Sequence, residues 1–299
     1  MRIAICSCAD YRDNPGSYPV WTRIQGENPD LLLLLGDNVY LPQSVKPEKT
    51  EELRVSLTQE YRKLLADQKF QALLAYMRTG GRKVAAIYDD HDSIGEDTKA
   101  PVMTQAMRDV AQQVFFQHMG FGANPPNLYC SFEMDLARVV MIDARSYRIK
   151  DANTLDDVLG TTQAAWFRAQ VAAASAKPYL LVCSGFTLYK YWAFPPIPVP
   201  VSSGWFHHSQ AYAEILQLLA GRPGVLFVSG DIHRNELTMK SDVIELVSSG
   251  VARKSLGLKT PLGNYAILDL DAEKATVNFR ALKPAEAWSQ TITLASWRI

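Results

Sequence analysis

The sequence predicts an α/β protein with a core of parallel strands. Short apolar runs alternate with longer helical patterns through the first half of the chain, as in parallel α/β folds. The run Leu31–Leu35 is apolar at every position, which is typical of a strand covered on both faces. From Val243 onward, apolar runs follow one another with little helix between them, which favours a mixed sheet or a second sheet with antiparallel edges.

The predicted elements follow in chain order. Strands are predicted at the short apolar runs over residues 3–6, 31–35, 84–88, 128–132, 139–142, 179–183, 225–228, 243–247, 265–270 and 275–279. Helices are predicted at the longer helical patterns over residues 20–27, 48–67, 68–78, 104–119, 161–174 and 209–221. Thr161 and Thr162 before Gln163 give one helix an N-cap signal, and Gly221 gives another a C-cap signal.

Length and composition limit the class of protein. The chain has 299 residues, 47% of them hydrophobic, and we expect a single domain over residues 1–299 with a sizeable core. Lys and Arg together number 31, as do Asp and Glu, so the formal net charge is zero. A general nucleic-acid binder would carry a basic stripe, so we expect no long nucleic acid as a partner. A small anionic substrate remains compatible with this balance.

The cysteines and the hydropathy pattern predict a cytoplasmic setting. The cysteines at positions 6, 8, 130 and 183 are scattered, and three lie in strand-like runs, so we expect reduced thiols rather than a disulfide framework. The start, Met-Arg-Ile-Ala-Ile-Cys, does not resemble a signal peptide. No apolar run approaches the roughly 20 residues of a membrane helix, so we expect no membrane span.

The segment 186–208 has an unusual composition. It combines several aromatic residues with the run Phe-Pro-Pro-Ile-Pro-Val-Pro, and proline can continue neither a helix nor a central strand. We therefore expect a long, stiff loop over the edge of the sheet. Such a loop is either a lid over a site or a plain surface connection.

Polar residues follow four of the predicted strands at the point where each strand ends. They are Ser-Cys-Ala-Asp at 7–10, Gly-Asp-Asn-Val-Tyr at 36–40, Asp-Asp-His-Asp at 89–92 and Ser-Gly-Asp-Ile-His at 229–233. Ligands of open α/β sheets bind beyond the carboxyl ends of the strands, so we expect these clusters to converge on one site.

A metal site is the chemistry that this pattern favours. Asp89, Asp90 and Asp92 place three carboxylates around the imidazole of His91. Carboxylates this close raise one another's pKa unless a cation lies among them, and a metal ion supplies that cation. A single Asp in such a place is more often a turn residue or a helix cap, but four strand ends with the same feature favour a site.

The other residue types in these clusters are less specific. Asp231 and His233 form an Asp-x-His turn that could direct both side chains toward one metal cluster. Tyr40 lies three residues after Asp37, and taken alone it would be a core or rim aromatic. Cys8 is either a thiolate ligand or a small buried hydrophobe.

One arginine is a candidate for binding substrate. Arg145 follows Asp143 directly after the strand predicted at 139–142. Its guanidinium could hold a phosphate oxygen with two hydrogen bonds. The alternative is an ion pair with Asp143 or another carboxylate.

Several motifs occur in a characteristic order. They are Ser-Cys-Ala at 7–9, Gly-Asp-Asn-Val-Tyr at 36–40, Asp-Asp-His-Asp at 89–92, Asp-Ala-Arg-Ser-Tyr-Arg at 143–148, Gln163-x-x-Trp166 and Ser-Gly-Asp-Ile-His at 229–233. In this order, from about Ile3 to His233, the chain resembles the alkaline phosphatase D family of calcineurin-like metallophosphoesterases. The resemblance implies an α/β fold in which two β-sheets form a sandwich flanked by helices, a four-layer αββα arrangement.

The resemblance also implies two metal ions. Asp37 stands at the position that bridges both ions. Cys8 and Tyr40 match positions that resemble ligands of a ferric ion, and His233 matches a further ligand of the same ion. Thiolate, phenolate and imidazole suit a transition metal, and the resemblance implies iron, with zinc or manganese as alternatives.

The second ion is implied to have oxygen ligands. Asp90 and Asp231 match its positions, together with Asp37. Where the wider superfamily has another His ligand, this chain reads Cys-Ser-Gly at 183–185. Oxygen ligands suit hard cations such as calcium, magnesium or manganese, and the resemblance implies calcium.

The function implied is hydrolysis of a small phosphoester by a hydroxide that the two metal ions activate. His91 stands where the superfamily has the histidine that assists the leaving group. A different class of function, a metal-binding scaffold of this fold without turnover, is the alternative. The sequence gives no prediction of the oligomeric state.

Overall fold

The computed structural model of the protein describes most of the chain. The described residues are 1–12, 18–42, 44–95, 103–121, 127–174, 177–189, 193–194, 197–200, 204–240, 243–253, 262–283 and 287–296. The strands are β1 (Arg2–Cys6), β2 (Leu31–Leu35), β3 (Lys83–Ile87), β4 (Cys130–Glu133), β5 (Ala137–Met141), β6 (Tyr179–Cys183), β7 (Ala193–Phe194), β8 (Ile197–Pro200), β9 (Val225–Ser229), β10 (Glu236–Lys240), β11 (Val243–Val247), β12 (Tyr265–Leu270), β13 (Lys274–Arg280) and β14 (Trp288–Thr293). The helices are α1 (Pro19–Gly26), α2 (Thr50–Leu65), α3 (Gln68–Met77), α4 (Gln105–Met119), α5 (Leu155–Leu159), α6 (Thr161–Ala173) and α7 (Ser209–Leu219).

Two six-stranded sheets lie at the centre of the fold. The first has the order β14-β13-β12-β1-β2-β3, and the second has the order β10-β11-β9-β6-β5-β4. In the first sheet β1, β2 and β3 are parallel, whereas β12, β13 and β14 pair antiparallel. In the second sheet β5, β6, β9 and β11 are parallel, and antiparallel strands form both edges. Both sheets are therefore mixed.

Three apolar clusters fill the spaces between four layers. Leu33 and Leu181 belong to the cluster between the two sheets. Trp21 and Phe70 belong to the cluster that packs α1–α4 on the first sheet, and Phe167 belongs to the one that packs α5–α7 on the second. This arrangement confirms the predicted α/β sandwich flanked by helices.

Strand β2 shows how the sequence specifies these layers. All of its residues are buried. Leu31, Leu33 and Leu35 face the second sheet, whereas Leu32 and Leu34 face the helices. Successive side chains of a strand point to opposite faces, so a strand between two apolar layers needs an uninterrupted apolar run.

Helix boundaries agree with one of the two predicted caps. Helix α7 ends at Leu219, and Gly221 follows with φ +72°, the left-handed conformation that glycine adopts after a helix. The predicted N-cap of α6 is wrong, because Thr161 is already helical and the cap residue is Gly160, which has no side chain to contribute. Gln163 instead uses its side chain to bind the backbone of Asp143.

Two edge strands and a short helix are absent from the sequence-based prediction. Strand β10 reads Glu-Leu-Thr-Met-Lys and β14 reads Trp-Ser-Gln-Thr-Ile-Thr. Each lies at the edge of a sheet and is partly exposed, so neither forms an apolar run. Helix α5 has only five residues, too few for a helical period to show in the sequence.

The segment 186–208 is more structured than the predicted loop. Strands β7 and β8 pair antiparallel as a two-stranded ribbon, and Phe186, Leu188 and Trp205 are fully buried in the core of the second sheet. Residues 190–192, 195–196 and 201–203 lie outside the described residues, so its role as a lid stays a prediction. Among the described residues, no helix is long and apolar enough to cross a membrane.

Candidate metal centre

The predicted clusters meet at one end of the sandwich, beyond the carboxyl ends of the parallel strands. Backbone hydrogen bonds join the loops there. The amide of Cys8 donates to the carbonyl of Gly36 at 3.2 Å, and the amides of Gly250 and Val251 donate to the carbonyl of Ser7 at 3.1 and 3.0 Å. Loops from the first sheet are thus tied both to each other and to the loop that follows β11 in the second.

Four of the proposed ligands have an unusual backbone conformation. Cys8, Asp37, Asp231 and His233 have φ values of 62°, 50°, 71° and 52°, in the left-handed region that residues with a side chain rarely adopt. Such conformations cost on the order of 1–3 kcal/mol each and cluster at functional sites. The four strained residues turn the chain sharply at strand ends and bring their side chains into one place.

The first group of ligand atoms surrounds Asp37. The Sγ of Cys8 lies 3.4 Å from Asp37 Oδ2. The Oη of Tyr40 lies 3.0 Å from Asp37 Oδ2 and 3.0 Å from Nε2 of His233. Ligand atoms of Cys8, Asp37 and His233 all lie within 4.8 Å of one another. Thiol, carboxylate, phenol and imidazole therefore converge as the sequence predicted.

The second group of ligand atoms contains mainly carboxylates and shares Asp37 with the first. The amide of His91 donates to Asp37 Oδ1 at 3.3 Å and to Asp90 Oδ1 at 3.0 Å. Asp37, Asp90 and His91 each offer a ligand atom within 4.8 Å of the others, and so do Asp89, Asp90 and Asp231. Asp37 thus directs one oxygen toward each group.

The electrostatics of the site favour a cation. Burial raises the pKa of Asp37 well above its usual value, and the neighbouring Cys8 and Asp90 raise it further. Burial also raises the pKa of the Cys8 thiol and the Tyr40 phenol. Bound cations would favour the deprotonated forms of all three, which are the forms that ligate metals.

The two histidines of the site are neutral. Burial lowers the pKa of His91 to about 4 and that of His233 to about 3. A neutral imidazole keeps a lone pair for a metal or an N–H for hydrogen bonding. Together with the raised pKa values of the acidic groups, this set of ligand types fits metal ions.

Arg145 forms an ion pair, one of the two alternatives drawn from the sequence. Its Nε contacts the carboxylate of Asp89, and its Nη2 lies 4.0 Å from Asp90 Oδ1. Its guanidinium also lies 4.6 Å from the ring centroid of Phe186. The side chain of Asp143 accepts instead from the backbone amide of Arg145. Arg145 therefore lies beside the second group of ligand atoms.

Asp92 corrects the sequence-based picture of three carboxylates around His91. Its side chain points away from the ligand atoms and accepts hydrogen bonds from Asn38, Val39, Asp89 and Tyr61. Burial raises the pKa of Asp92 to about 7, although the backbone amides that donate to it act in the opposite direction. Asp92 is thus a structural link between the loops that follow β2 and β3.

The sequence-based prediction did not include Ser249. The Oγ of Ser249 lies 3.1 Å from Cys8 Sγ and accepts from the backbone amide of His233 at 2.8 Å. It follows β11, which runs parallel to β9, so its strand ends at the same edge of the sheet. The Ser-Ser-Gly sequence at 248–250, directly after an apolar run, was the signal that could have identified it.

Three charged residues near Tyr40 were also not predicted. Arg12 and Arg253 have their guanidinium carbons 5.1 and 4.3 Å from the ring centroid of Tyr40. Both arginines form ion pairs with Asp10. Asp10 belongs to the first strand-end cluster, but no sequence signal connects it to Arg253.

Comparison with known proteins supports the assignment made from the motifs. The family model of PhoD-like phosphatases matches residues 3–290. A solved structure of PhoD superposes with a TM-score of 0.70 at 19% identity, covering 97% of this chain and 68% of that one. GAP50, the anchor in the inner membrane complex of Plasmodium, superposes with a TM-score of 0.57 at 15% identity, covering 98% of this chain and 88% of that one. At these identities both likenesses concern the fold. No curated protein sequence matches the chain.

Proposed function

The chain belongs to the PhoD-like phosphatase family, and from this membership and the site geometry we propose that it hydrolyses phosphoesters with the help of two metal ions. One observation carries the proposal. Asp37 belongs to two groups of possible ligands, and its two carboxylate oxygens point to different neighbours, Oδ2 to Cys8 and Tyr40 and Oδ1 to the backbone amide of His91. A carboxylate shared in this way could ligate two cations.

We propose iron(III) for the first group and calcium for the second. The first would be held by Asp37, Cys8, Tyr40 and His233, a mixed thiolate, phenolate and imidazole set that suits a transition metal. The second would be held by Asp37 with Asp90 and Asp231, all of them oxygen ligands that suit a hard cation. Zinc or manganese in the first group, and manganese or magnesium in the second, are alternatives for elemental analysis to decide.

His91 and Arg145 would have separate roles in the proposed hydrolysis. When bound, the two ions would lower the pKa of a water and neutralise the charge of the phosphate group. His91, held neutral by burial, would donate an N–H to the oxygen of the leaving group and stabilise its developing charge. Arg145, beside Asp89 and Asp90, would bind a phosphate oxygen through donors of its guanidinium.

The test combines metal content with hydrolysis of a chromogenic monoester and a chromogenic diester. Asp37→Ala is expected to lose metal and activity together. His91→Ala is expected to keep its metal and lose on the order of 10²–10³-fold in kcat, the usual contribution of one hydrogen-bond donor to the developing charge. His118→Gln, on α4, is the control for folding. Wild-type activity in both site variants, or full activity after complete removal of metal, would refute the proposal.

The alternative, a metal-binding scaffold without turnover, draws on the likeness to GAP50, an anchor that has this fold. The presence of His91 and Arg145 beside the proposed ligands favours an enzyme, because metal binding alone requires neither residue. A protein that holds two metal ions but hydrolyses none of a broad panel of mono- and diesters would support the scaffold.

A further inference from the structure

A charged unit, formed by Arg12, Arg253 and Asp10, lies between the candidate metal centre and solvent. Tyr40 is fully buried, and the guanidinium groups of Arg253 and Arg12 lie 4.3 and 5.1 Å from the centroid of its ring. The side chains of Arg253 and Arg12 are 23% and 22% exposed. The two arginines therefore reach the rim of the site, where a molecule that enters would meet them.

One carboxylate positions both arginines. Asp10 Oδ2 accepts from Arg12 Nη2 at 2.9 Å and from Arg253 Nη1 at 2.7 Å, and Asp10 Oδ1 accepts from Arg12 Nε at 3.1 Å. The unit of three side chains thus carries a net charge of +1, from two guanidinium groups and one carboxylate.

Arg253 has hydrogen-bond donors to spare. A guanidinium has five N–H donors, and within the part of the chain that the structure describes, the hydrogen bonds of the Arg253 side chain go to Asp10 alone. Arg12 uses a further donor on the carbonyl of Leu41 at 3.0 Å, which fixes its plane. The unit is therefore held in place by Asp10 and still has donors available for an anion.

The unit is separated from the centre by a single aromatic ring. Both guanidinium groups lie over the ring of Tyr40, and the Oη of Tyr40 lies 3.0 Å from Asp37 Oδ2 and 3.0 Å from His233 Nε2. A small substrate bound at the proposed metal ligands could therefore bring a second anionic group to the arginines.

We propose that Arg12 and Arg253, positioned by Asp10, bind a second anionic group of the substrate, remote from the phosphorus atom that is attacked. The substrate class is then phosphoesters that also carry a carboxylate or a further phosphate, in preference to esters without a second anion. This inference rests on the proposed function for the place of the reacting phosphate. A cationic rim of this kind distinguishes substrates by charge, because an arginine fork binds carboxylate and phosphate groups with well-aligned hydrogen bonds.

A purely structural role of the unit makes a different prediction. If Arg12 and Arg253 served only to hold the ring of Tyr40 in place, their loss would weaken every ligand of the site by the same factor. If they bind a second anion, their loss would weaken only ligands that carry one. The ratio of two affinities therefore separates the two roles, whereas a single affinity does not.

The experiment measures calorimetric affinities of three non-hydrolysable ligands for the purified protein. They are phenylphosphonate, 4-carboxyphenylphosphonate and 1,4-phenylenebisphosphonate. All three share a phenyl ring with one phosphonate; the first has no second anion, the second has a carboxylate and the third has a further phosphonate. The wild type is expected to bind the latter two about 10-fold more tightly than the first, the effect of one hydrogen bond between charged groups. The relative strength of the latter two identifies carboxylate or phosphate as the preferred anion.

Variants test whether the preference for a second anion depends on Arg12 and Arg253. Arg253→Gln and Arg12→Gln are expected to reduce the preference toward a ratio of one, and Arg253→Lys should retain part of it. Arg280→Gln, which breaks a comparable ion pair with Glu27, is the matched control and should keep the full preference. Equal affinities in the wild type, no binding of any ligand, a preference that survives in both Gln variants, or an equal loss for all three ligands would each overturn the proposal.

Turnover of the matching esters is measured separately, so that failure of the two proposals can be told apart. A protein that shows the rim-dependent preference but hydrolyses no ester would contradict the proposed function and leave the anion site standing. A protein that hydrolyses the esters without any rim-dependent preference would contradict this inference alone.

Discussion

Replacement of Asp92 by Asn and by Ala tests whether this buried carboxylate links two loops of the candidate metal centre. Its Oδ2 accepts from the backbone amides of Asn38 and Asp89 and from the side-chain amide of Asn38, at 3.0–3.2 Å. Its Oδ1 accepts from the backbone amide of Val39 and the hydroxyl of Tyr61, at 3.0 and 3.1 Å. Every one of these groups donates, so the site needs an acceptor on both sides.

An asparagine provides an acceptor on one side only. In the better orientation its oxygen takes the place of Oδ2 and its NH₂ group faces Val39 and Tyr61. The hydroxyl of Tyr61 can rotate to accept, but the amide of Val39 cannot, and an unsatisfied buried donor costs about 1–3 kcal/mol. Both Asp92→Asn and Asp92→Ala remove the buried charge, so the difference between them isolates the hydrogen bonds. Asp92→Ala, which loses every acceptor, is expected to have a free energy of unfolding at least about 1–3 kcal/mol lower than that of Asp92→Asn.

The assay is urea unfolding followed by circular dichroism at pH 8, above the pKa of about 7 that burial gives Asp92. Asp156→Asn is the matched control, because Asp156 is 40% exposed and its ion pair with Arg168 lies at the surface. The control is expected to stay within about 0.5 kcal/mol of the wild type. An Asp92→Ala protein as stable as Asp92→Asn would refute the hydrogen-bonding argument.

Three further outcomes follow from the site and the core. Cys8→Ser is expected to release the first metal ion, whereas Cys130→Ser keeps it; equal metal content by elemental analysis would contradict a thiolate ligand. If the first ion is ferric, Tyr40→Phe should abolish a visible absorption band that the wild type shows, and a colourless but active wild type would exclude iron. Burial raises the pKa of Glu245 to about 7 from 4.5, so the stability that this proton contributes is complete below pH 4.5 and is lost as the pH rises through 7. Glu245→Gln should therefore gain in melting temperature relative to the wild type from pH 5 to pH 8, and parallel curves would contradict this.

The sequence was most informative where structure depends on local pattern. Parallel strands of one sheet end at the same edge, so Cys8 and Asp37, which follow β1 and β2, could be placed together from the sequence pattern. Asp231 follows β9 of the second sheet, and only the order of the motifs placed it with them. The edge strands β10 and β14 were missed because a partly exposed strand needs no apolar run.

Residues whose role depends on distant pairing could not be predicted. Ser249 lies at the site because β11 runs parallel to β9, which the sequence of either strand does not specify. The orientation of Asp92 depends on donors from the loop after β2. Arg253 reaches Tyr40 through an ion pair with Asp10, more than two hundred residues earlier in the chain.

Contacts between residues that are far apart in the sequence also have a consequence for how the protein folds. Tyr40 and His233 are 193 residues apart in sequence, and Ser7 binds the carbonyl of Ser248 across 241 residues. Closing loops of this length is entropically costly, and such contacts are expected to form late. Neither half of the chain contains all of the proposed metal ligands, so uptake of metal during refolding would report the last stage of assembly, when both halves have come together.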